Sequence, residues 1–345
     1  MRFPSHTRKV VATSRGKVID DCGQTRLGGQ MGRVLVLYYS QSGEVAEIAS
    51  VFATELSRTG AEVTIERLNP ETAYPYPWRS IRRFFDAMPE SVLGLPPPIR
   101  NPGYDPTSRF RLVVLAYPVW FLSPALPVQA FFRLPHAEVL RGTETVTITV
   151  SRAMWQRASE RIKSLLATAG AVHCDNVVVT HQGSPLLTLV STPRALLFGR
   201  KDSFLGVFPK AGVADSERVR VQGLATVIAQ RLRSDRSFGG SLLSGESALS
   251  ITRWLVVPEL LASYYFYGAA VTIRALGRIH PALRALGVYA FAVLLFMLIL
   301  IGLPLAIAGT ALALLGMRGR LDAYVKKLSE PTGDSHQTPA GSGCS

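Results

Sequence analysis

The sequence predicts an α/β protein with a doubly wound, five-stranded parallel sheet, followed by a C-terminal membrane-embedded helical segment. From residue 33 onward, short β-rich apolar runs alternate with segments whose apolar residues recur at helical spacing. This alternation is typical of a parallel sheet covered by helices on both faces. Residues 285–317 contain no charged side chain, which is typical of a membrane-inserted segment. The chain is 48% hydrophobic and 18% charged, more apolar than an average soluble protein.

The strands and helices of the sheet domain follow one another in a regular order. In the first helix, Val45, Ile48 and Phe52 recur every three or four residues and form one apolar face. Asp215 opens the last helix as an N-cap residue. The predicted strands are 34–39, 62–67, 111–116, 144–150 and 172–180, and the predicted helices are 44–58, 125–132, 154–169 and 215–232.

Composition divides the chain into five parts. Residues 1–30 are polar and without periodicity, and Met31 stands directly before the first strand. This segment is predicted to be either a disordered basic tail or an artefact of a start assigned too early. After it come an α/β domain (31–235), a Gly/Ser-rich linker (236–250), membrane-associated helices (251–317) and a tail that is basic and then disordered (318–345).

Two long stretches interrupt the alternation of strands and helices. Residues 74–106 are rich in proline and aromatic residues, and residues 183–210 are apolar with Arg194, Arg200 and Lys201 among them. Both are too long for ordinary connections. We expect them to be either functional lids or membrane-facing flaps, or decorations that only pack on the sheet.

The C-terminal part contains two apolar stretches. Pro304 near the middle of 285–317 can break a helix, so this stretch is predicted to be one tilted span or a hairpin that enters the membrane and returns. The stretch 254–273 has Glu259 as its only charge and four aromatic residues at 264–267, and is predicted to be a span or an interfacial helix. Basic residues flank 285–317 on both sides, and such flanks prefer the cytoplasm. A hairpin anchor in the inner membrane, with the α/β domain on the cytoplasmic side, fits this pattern best.

The charge and cysteine content restrict the class of partner. A formal net charge of +14 favours an anionic partner. The sequence contains no helix-turn-helix, zinc-finger or RNA-binding motif, so we expect membrane lipid and no nucleic acid. Cys22, Cys174 and Cys344 are far apart and form no CxxC pair, which argues against a disulfide framework and against a metal site.

The first predicted strand runs directly into a turn of small and polar residues before the first helix. Backbone N–H groups at the start of a helix attract anions, serine hydroxyls add donors, and glycine lets the backbone approach closely. This 40–45 turn is predicted to bind a phosphate, and the alternative is an ordinary N-cap. Its residues are Ser40, Gln41, Ser42, Gly43, Glu44 and Val45.

An aromatic segment stiffened by proline follows the third predicted strand. In a doubly wound sheet of order 2-1-3-4-5, ligands bind beyond the carboxyl ends of the strands, where the strand order reverses. This segment should therefore lie beside the 40–45 turn, where an aromatic side chain can stack on a flat conjugated ring. Its candidate residues are Pro118, Val119, Trp120 and Phe121.

With these two segments, the sequence resembles the flavodoxin superfamily and, within it, the flavodoxin-like quinone and flavin reductases. The resemblance covers about residues 33–235 and depends on Ser-x-Ser-Gly in the 40–45 turn and Pro-Val-Trp-Phe-x-Ser-Pro-Ala after the third strand. It implies non-covalent FMN, with its phosphate in the first loop and its isoalloxazine ring between the second and third loops. In the third loop, after strand four, the implied contacts are Arg152, Met154 and Trp155.

The chain departs from the family pattern at Glu44 and Val45, where Asn and Thr are common, and Glu44 places a negative charge near the phosphate. The layout of the chain, with its apolar tail and Arg-x-Met-Trp loop, also resembles proteins labelled dialkylresorcinol-condensing enzyme. Condensation of acyl groups needs an activated thiolate. Because Cys174 lies within a predicted strand, the residues favour flavin chemistry over condensation.

Two side chains are candidates for catalytic roles. Arg152 is predicted either to stabilise an anionic reduced flavin or to cap the following helix. His181, after strand five, is predicted either to donate a proton to a substrate oxygen or to be a structural histidine. Trp120 and Trp155 are predicted either to stack on the flavin ring or to pack at the edge of the sheet.

The resemblance, together with the apolar C-terminal segment, implies a membrane-attached, FMN-dependent oxidoreductase. It would pass electrons from NAD(P)H, bound transiently, to a lipophilic acceptor such as a quinone, and the anchor would keep the flavin near acceptors dissolved in the bilayer. Two alternatives stay open at this point. One is a membrane electron-transfer or scaffold subunit without a substrate of its own, and the other is a flavin-free, lipid-processing protein that reuses the fold.

Overall fold

Three short strands precede the sheet domain: β1 (Arg8–Val10), β2 (Lys17–Ile19) and β3 (Thr25–Leu27). β2 and β3 pair with each other in antiparallel fashion. The computed structural model describes residues 8–10, 17–19, 25–27, 32–233, 241–243, 252–302 and 323. The rest of segment 1–30 lies outside the described residues, so the interpretation of that segment stays a prediction.

The sheet domain contains the strand and helix alternation that the sequence predicts. Its strands are β4 (Val34–Tyr38), β5 (Val63–Arg67), β6 (Leu112–Trp120), β7 (Ser123–Pro124), β8 (Glu144–Ser151) and β9 (Val172–Thr180). Its helices are α1 (Glu44–Arg58), α2 (Ile81–Asp86), α3 (Met88–Leu93), α4 (Leu126–Phe131), α5 (Gln156–Thr168), α6 (Thr188–Phe198) and α7 (Asp215–Arg233), with a 3₁₀ helix at Pro135–Leu140.

The main sheet is parallel, in the order β5-β4-β6-β8-β9, and β1 adds an antiparallel strand at the β5 edge. When the five parallel strands are numbered along the chain, this order is 2-1-3-4-5. The predicted fold class is therefore confirmed. The strand order reverses between β4 and β6, which places the crevice for a ligand at the carboxyl ends of these two strands.

The two faces of the sheet bury alternate residues of each strand. Val34 and Val36 of β4 point to the core shared with α1 and α7. Leu35 and Leu37 point to the opposite core, which contains side chains of α4 and α5. Because both faces are covered, the central strands are continuously apolar instead of alternating between apolar and polar residues.

The third parallel strand, β6, is longer than the sequence predicts. It continues through Pro118, which lies opposite Val150 of β8, to Trp120. The chain then reverses at Phe121 and Leu122, whose φ angles are +50° and +59°, and pairs back on β6 as β7. The predicted loop is therefore a tight hairpin, because proline can continue a strand where its missing N–H is not needed by a neighbour.

Two apolar helices follow the sheet domain: α8 (Val256–Ile279) and α9 (Pro281–Met297), the latter continued by a π-helical turn at Leu298–Gly302. Both are long and apolar enough to cross a membrane, with mean hydropathy 1.2 for α8 and 2.4 for Pro281–Ile301. They form a helical hairpin in which the rings of Tyr265 and Phe291 stack with centroids 5.5 Å apart. The break predicted at Pro304 lies outside the described residues, so the choice between a span and a re-entrant hairpin stays a prediction.

Candidate functional site

The 40–45 turn presents backbone N–H groups that have no hydrogen-bond partner among the residues that the structure describes. Gly43 is the N-cap residue of α1, with φ +97°, and no side chain caps this helix. In the part of the chain that the structure describes, no hydrogen bond has a backbone N–H of residues 41–44 as its donor. The turn therefore differs from an ordinary side-chain N-cap, in which a serine or aspartate oxygen accepts these bonds.

The carbonyl groups of the same turn are bonded to cations. Arg67 donates to the Ser40 carbonyl at 3.0 Å, and Lys201 donates to the Ser42 carbonyl at 3.2 Å. The Gln41 side-chain amide donates to the Pro75 carbonyl at 2.7 Å. The charge of Arg67 and the N-terminus of α1 favour an anion at the N–H groups of residues 41–44, for which no partner is found among the described residues.

The Ser40 hydroxyl is a second unused donor in the turn. Ser40 is only 3% exposed, and its Oγ has no hydrogen-bond partner among the described residues. A buried hydroxyl without a partner is costly and calls for a ligand or an ordered water. Beside it, a Cβ built on Gly43 would meet no heavy atom within 4 Å, so the space next to the turn is open.

Glu44, the departure from the family pattern, is neutralised by two neighbours. Its Oε1 lies 2.9 Å from Lys201 Nζ, and its Oε2 lies 3.2 Å from His181 Nε2. Burial alone would raise the pKa of this carboxyl, but the bonds and charges of His181 and Lys201 outweigh burial and lower the pKa to about 2. The carboxylate is thus ionised and compensated, and its charge does not by itself exclude a phosphate from the turn.

His181 is tied to the 40–45 turn through its bond to Glu44. It follows β9, where it forms an isolated bridge with Val213. Its other nitrogen, Nδ1, is buried and has no partner among the residues described. This position favours the structural alternative, in which His181 orients Glu44, over proton donation to a substrate.

Arg152 lies between β8 and α5, at the carboxyl end of the sheet. It donates to the Pro185 carbonyl at 3.0 Å, and no carboxylate pairs with it within the described ranges. Burial lowers the pKa of its guanidinium to about 10, so it remains charged at neutral pH. A half-buried cation without a counter-ion is a candidate for contact with an anionic ligand.

The two other residues of the third loop are placed differently from each other. Met154 is half-buried, and its carbonyl accepts a hydrogen bond from Ser151 Oγ at 3.1 Å. Trp155 is fully buried at the N-cap of α5. The predicted stacking role requires an exposed ring face, which Trp155 does not have, so the structure corrects this assignment.

Trp120, at the end of β6, is the centre of an aromatic cluster. Its ring centroid lies 5.7 Å from Tyr39, 4.9 Å from Tyr74 and 6.2 Å from Trp78, all in edge-to-face arrangements. Pro118 and Val119, which precede it, are half-buried. Trp120 is therefore the predicted ring-contact residue whose position at the crevice agrees best with that role.

Phe121 faces another part of the molecule. Its ring lies 5.1 Å from Phe84 and 6.0 Å from Phe85. It also belongs to the apolar cluster that contains Phe266 of α8 and Phe291 of α9. The structure thus places Phe121 at the contact between the sheet domain and the apolar helices, and not at the 40–45 turn.

The two long insertions join each other above the crevice. The backbone N–H groups of Trp78 and Arg79 donate to the carbonyls of Leu196 and Leu197 at 2.9 and 3.0 Å. One insertion contributes Pro75 and the other Lys201 to contacts with the 40–45 turn. This placement favours the lid interpretation over simple decoration of the sheet.

Lys201 and Arg67 are site residues that sequence reasoning did not identify. Lys201 contacts Ser42 and Glu44 from more than 150 positions away along the chain, and no local sequence pattern predicts such a contact. The available signal was weak: a basic residue within an apolar insertion. For Arg67, at the end of β5, the signal was its place beside β4 in the predicted strand order.

The apolar helices are attached to the sheet domain by polar contacts at the start of α5 and at α2 and α3. Glu259 of α8 accepts a hydrogen bond from the Arg157 backbone N–H at 2.7 Å. Arg284 of α9 lies 2.7 Å from Asp86 and 2.9 Å from Glu90. Because the Glu259 contact is buried and the Arg284 contacts are ionic, together they hold the hairpin in a defined orientation on the domain.

Cys174 is unsuited to nucleophilic chemistry. It is buried in β9. Burial, with a smaller contribution from the charge of Glu144, raises the pKa of its thiol to about 12. A thiol of this kind is protonated at neutral pH and does not act as a nucleophile. This argues against a thiolate-based condensation at Cys174.

Solved flavodoxin-like proteins are among the structures similar to this chain, whereas no family model and no curated protein sequence matches it. A flavoprotein in complex with FMN from Lactobacillus acidophilus NCFM is 18% identical, with 43% of this chain and 92% of that chain covered and a TM-score of 0.35. A flavodoxin from the domain Archaea is 10% identical (58% and 99% covered, TM-score 0.33), and a flavodoxin, WrbA-like protein from Agrobacterium tumefaciens is 9% identical (59% and 99% covered, TM-score 0.33). At these identities and TM-scores the likenesses do not assign a function to this chain.

Proposed function

We propose that this chain is a membrane-attached, FMN-dependent oxidoreductase that passes electrons from NAD(P)H to a lipophilic acceptor such as a quinone. The observation that carries the proposal is the 40–45 turn. It combines the N–H groups of residues 41–44 with the buried hydroxyl of Ser40, and none of these donors has a hydrogen-bond partner among the described residues. Arg67 adds positive charge beside the turn, and Lys201 compensates the charge of Glu44. This donor set suits a nucleotide monophosphate.

The residues around the crevice fit the rest of FMN. When bound, FMN would supply transfer of one or two electrons, which no amino-acid side chain of the site provides. The chain would hold the phosphate at residues 40–44 and place Trp120 and Arg152 near the ring. A positive charge at Arg152 would favour an anionic reduced ring, and the two insertions would exclude water from the crevice.

The membrane part of the proposal is supported by the exposed surface of α9. Arg284, near the start of this helix, is bound to the sheet domain, whereas Val293, Phe296, Leu300 and Ile301 are all more than half exposed. An apolar surface of this kind is typical of contact with lipid. We infer that the end of α9 and the residues after it enter the inner membrane, with the sheet domain on the cytoplasmic side.

The orientation of α8 supports the interfacial alternative for residues 254–273. Phe266, Ala270 and Ile273 are buried against the sheet domain and α9, whereas Tyr264 and Tyr267 of the same helix are exposed. Tyrosine side chains are frequent at the depth of the lipid head groups. We therefore place α8 along the membrane surface, between the bilayer and the sheet domain.

The test uses the full chain extracted in detergent. We expect flavin absorbance in the purified protein, or after incubation with FMN. In Ser40→Ala the affinity for FMN should fall roughly fivefold, because one hydrogen bond contributes about 1 kcal/mol. Ser50→Ala, which removes an exposed hydroxyl from α1, serves as the matched control and should bind FMN as the wild type does.

The outcomes separate the three functions. A chain that stays colourless in excess FMN would contradict the flavin and leave the lipid-processing alternative. A yellow chain that does not oxidise NADH or NADPH in the presence of a quinone would be an electron-transfer subunit instead of an enzyme. A yellow chain that does so, and loses this activity in Ser40→Ala in proportion to its loss of FMN, would support the whole proposal.

A further inference from the structure

A second cleft lies where the sheet domain meets the apolar helix α8. Its volume is about 540 Å³. One wall comes from α5, another from α8, and the floor from α3 and the β6–β7 hairpin. This α5–α8 cleft is distinct from the 40–45 turn, since no residue of that turn lines it.

The wall formed by α5 carries two unpaired arginines. Arg157 and Arg161 are one helical turn apart, and both are exposed. Within the described part of the chain, neither guanidinium takes part in a hydrogen bond or a close ion pair, although the charge of Arg157 interacts at longer range with the buried Glu259 of α8. Glu160, which also lines the cleft, lies 3.4 Å from Lys163 and is paired with it. The wall therefore has a net positive charge.

A glycine makes room for one of these cations. A side chain at Gly94, after α3, would collide with the guanidinium of Arg161. Gly94 also has φ +67°, a conformation that glycine adopts without strain. The cation thus lies close over the backbone of the turn, although no carboxylate among the residues described holds it there.

The opposite wall is aromatic. It contains Tyr264, Phe266 and Tyr267 of α8, and Phe121 of the hairpin adds a further aromatic ring at the floor. The side chains of Tyr264 and Tyr267 are 69% and 58% exposed. Since α8 is apolar enough to enter a membrane, this wall is the part of the cleft nearest to lipid in the proposed orientation.

We propose that the α5–α8 cleft binds an anionic amphiphile, namely an acidic membrane phospholipid. Its phosphate lies between Arg157 and Arg161, and its acyl chain lies along Phe121, Tyr264 and Phe266. Arginine recognises phosphate through paired N–H groups, and acidic lipids concentrate at the cytoplasmic surface of membranes. The inference depends on the membrane location given under Proposed function and not on the flavin.

The experiment measures lipid that stays bound to the full chain. The protein is purified in a neutral detergent, incubated with dioleoylphosphatidylglycerol, washed, and analysed by native mass spectrometry. Parallel samples receive dioleoylphosphatidylcholine, which has the same chains on a zwitterionic head group, or inorganic phosphate as a competitor. Flavin absorbance is recorded for each sample, and flotation of the chain on phosphatidylcholine vesicles measures membrane association by itself.

Two double variants are compared. Arg157→Gln/Arg161→Gln should retain roughly a hundredfold less phosphatidylglycerol than the wild type, because each of the two lost charge-assisted bonds to phosphate corresponds to about a tenfold factor. Arg100→Gln/Arg109→Gln removes the same charge from exposed positions outside the cleft and should bind like the wild type. Ser263→Trp fills the cleft from α8 and should abolish the retention of phosphatidylglycerol.

Each outcome decides a separate point. Equal retention of both lipids, or equal retention by the wild type and the Arg157/Arg161 variant, would overturn the cleft proposal. Displacement of the lipid by inorganic phosphate at low concentration would overturn it too, since it would identify free phosphate as the ligand. Failure to float on vesicles would contradict the membrane location, and a colourless protein would contradict the flavin but not the lipid site.

Discussion

The Glu259 carboxylate, on the apolar helix α8, accepts a hydrogen bond at 2.7 Å from the backbone N–H of Arg157 at the N-terminus of α5. Glu259 is only 1% exposed. A side-chain oxygen at a helix N-terminus accepts from backbone N–H groups that would otherwise lack a partner. Because α5 begins directly after the loop that carries Arg152, this contact joins the proposed membrane anchor to the candidate flavin site.

The first prediction concerns Glu259 as the attachment of the anchor. Glu259→Ala should lower the free energy of unfolding by about 2 kcal/mol, because it leaves the N-terminus of α5 uncapped and its N–H groups buried. Glu259→Gln retains an acceptor oxygen and should lower the free energy of unfolding by about half as much. Thermal unfolding in detergent measures both. If Glu259→Ala unfolds at the wild-type temperature, the contact does not hold the anchor on the domain.

The second prediction concerns the pH dependence that Glu44 produces. Its pKa is lowered from 4.5 to about 2, so its stabilisation is complete above pH 4.5 and is lost as the pH falls towards 2. This difference corresponds to at most about 3 kcal/mol. Denaturant unfolding at neutral pH and at pH 3 should show a smaller change in Glu44→Gln than in the wild type. Glu71→Gln, an exposed control, should follow the wild type. An equal change in the free energy of unfolding between the two pH values in all three proteins would contradict the ion-paired cluster.

Local patterns in the sequence identified the elements of the fold. The apolar face of Val45, Ile48 and Phe52 predicted α1, and these residues are buried in the core under the sheet. The predicted start of α1 at Glu44 makes Gly43 the preceding residue, and in the structure Gly43 is the left-handed N-cap residue. Such features depend on neighbours three or four residues away, so the sequence displays them directly.

Long-range partners could not be derived in this way. Lys201 reaches Glu44, and Glu259 reaches α5, across more than 100 positions of the chain. Trp155 was predicted to face a ligand but is buried. At a junction between a strand and a helix, the direction of a side chain depends on which elements pack above it, and here α8 and its Glu259 lie at that junction. The residues around Trp155 predict neither the position of α8 nor the contact of its Glu259 with the N-terminus of α5.

The third prediction separates a functional from a structural role for Arg152. As a cation without a paired carboxylate among the described residues, it contributes little to stability. Arg152→Met should therefore unfold at or above the wild-type temperature, while its affinity for FMN falls roughly tenfold with the loss of a charge-assisted contact. Arg152→Lys should recover part of that affinity because it keeps the charge. Lower thermal stability with unchanged FMN affinity would show that Arg152 is structural.

The last prediction concerns Cys174 and the thiolate chemistry that the condensing alternative would need. Burial, with the charge of Glu144 adding to it, raises the pKa of this thiol to about 12, so almost no thiolate forms at pH 8. In a Cys22→Ser/Cys344→Ser background, iodoacetamide should label Cys174 slowly in the native chain and rapidly after denaturation. Cys174→Ser should retain FMN binding and any NAD(P)H oxidation, since the hydroxyl keeps the small volume of the side chain. Rapid labelling of the native chain, together with loss of activity in Cys174→Ser, would instead assign a nucleophile to β9 and contradict the flavin-based function.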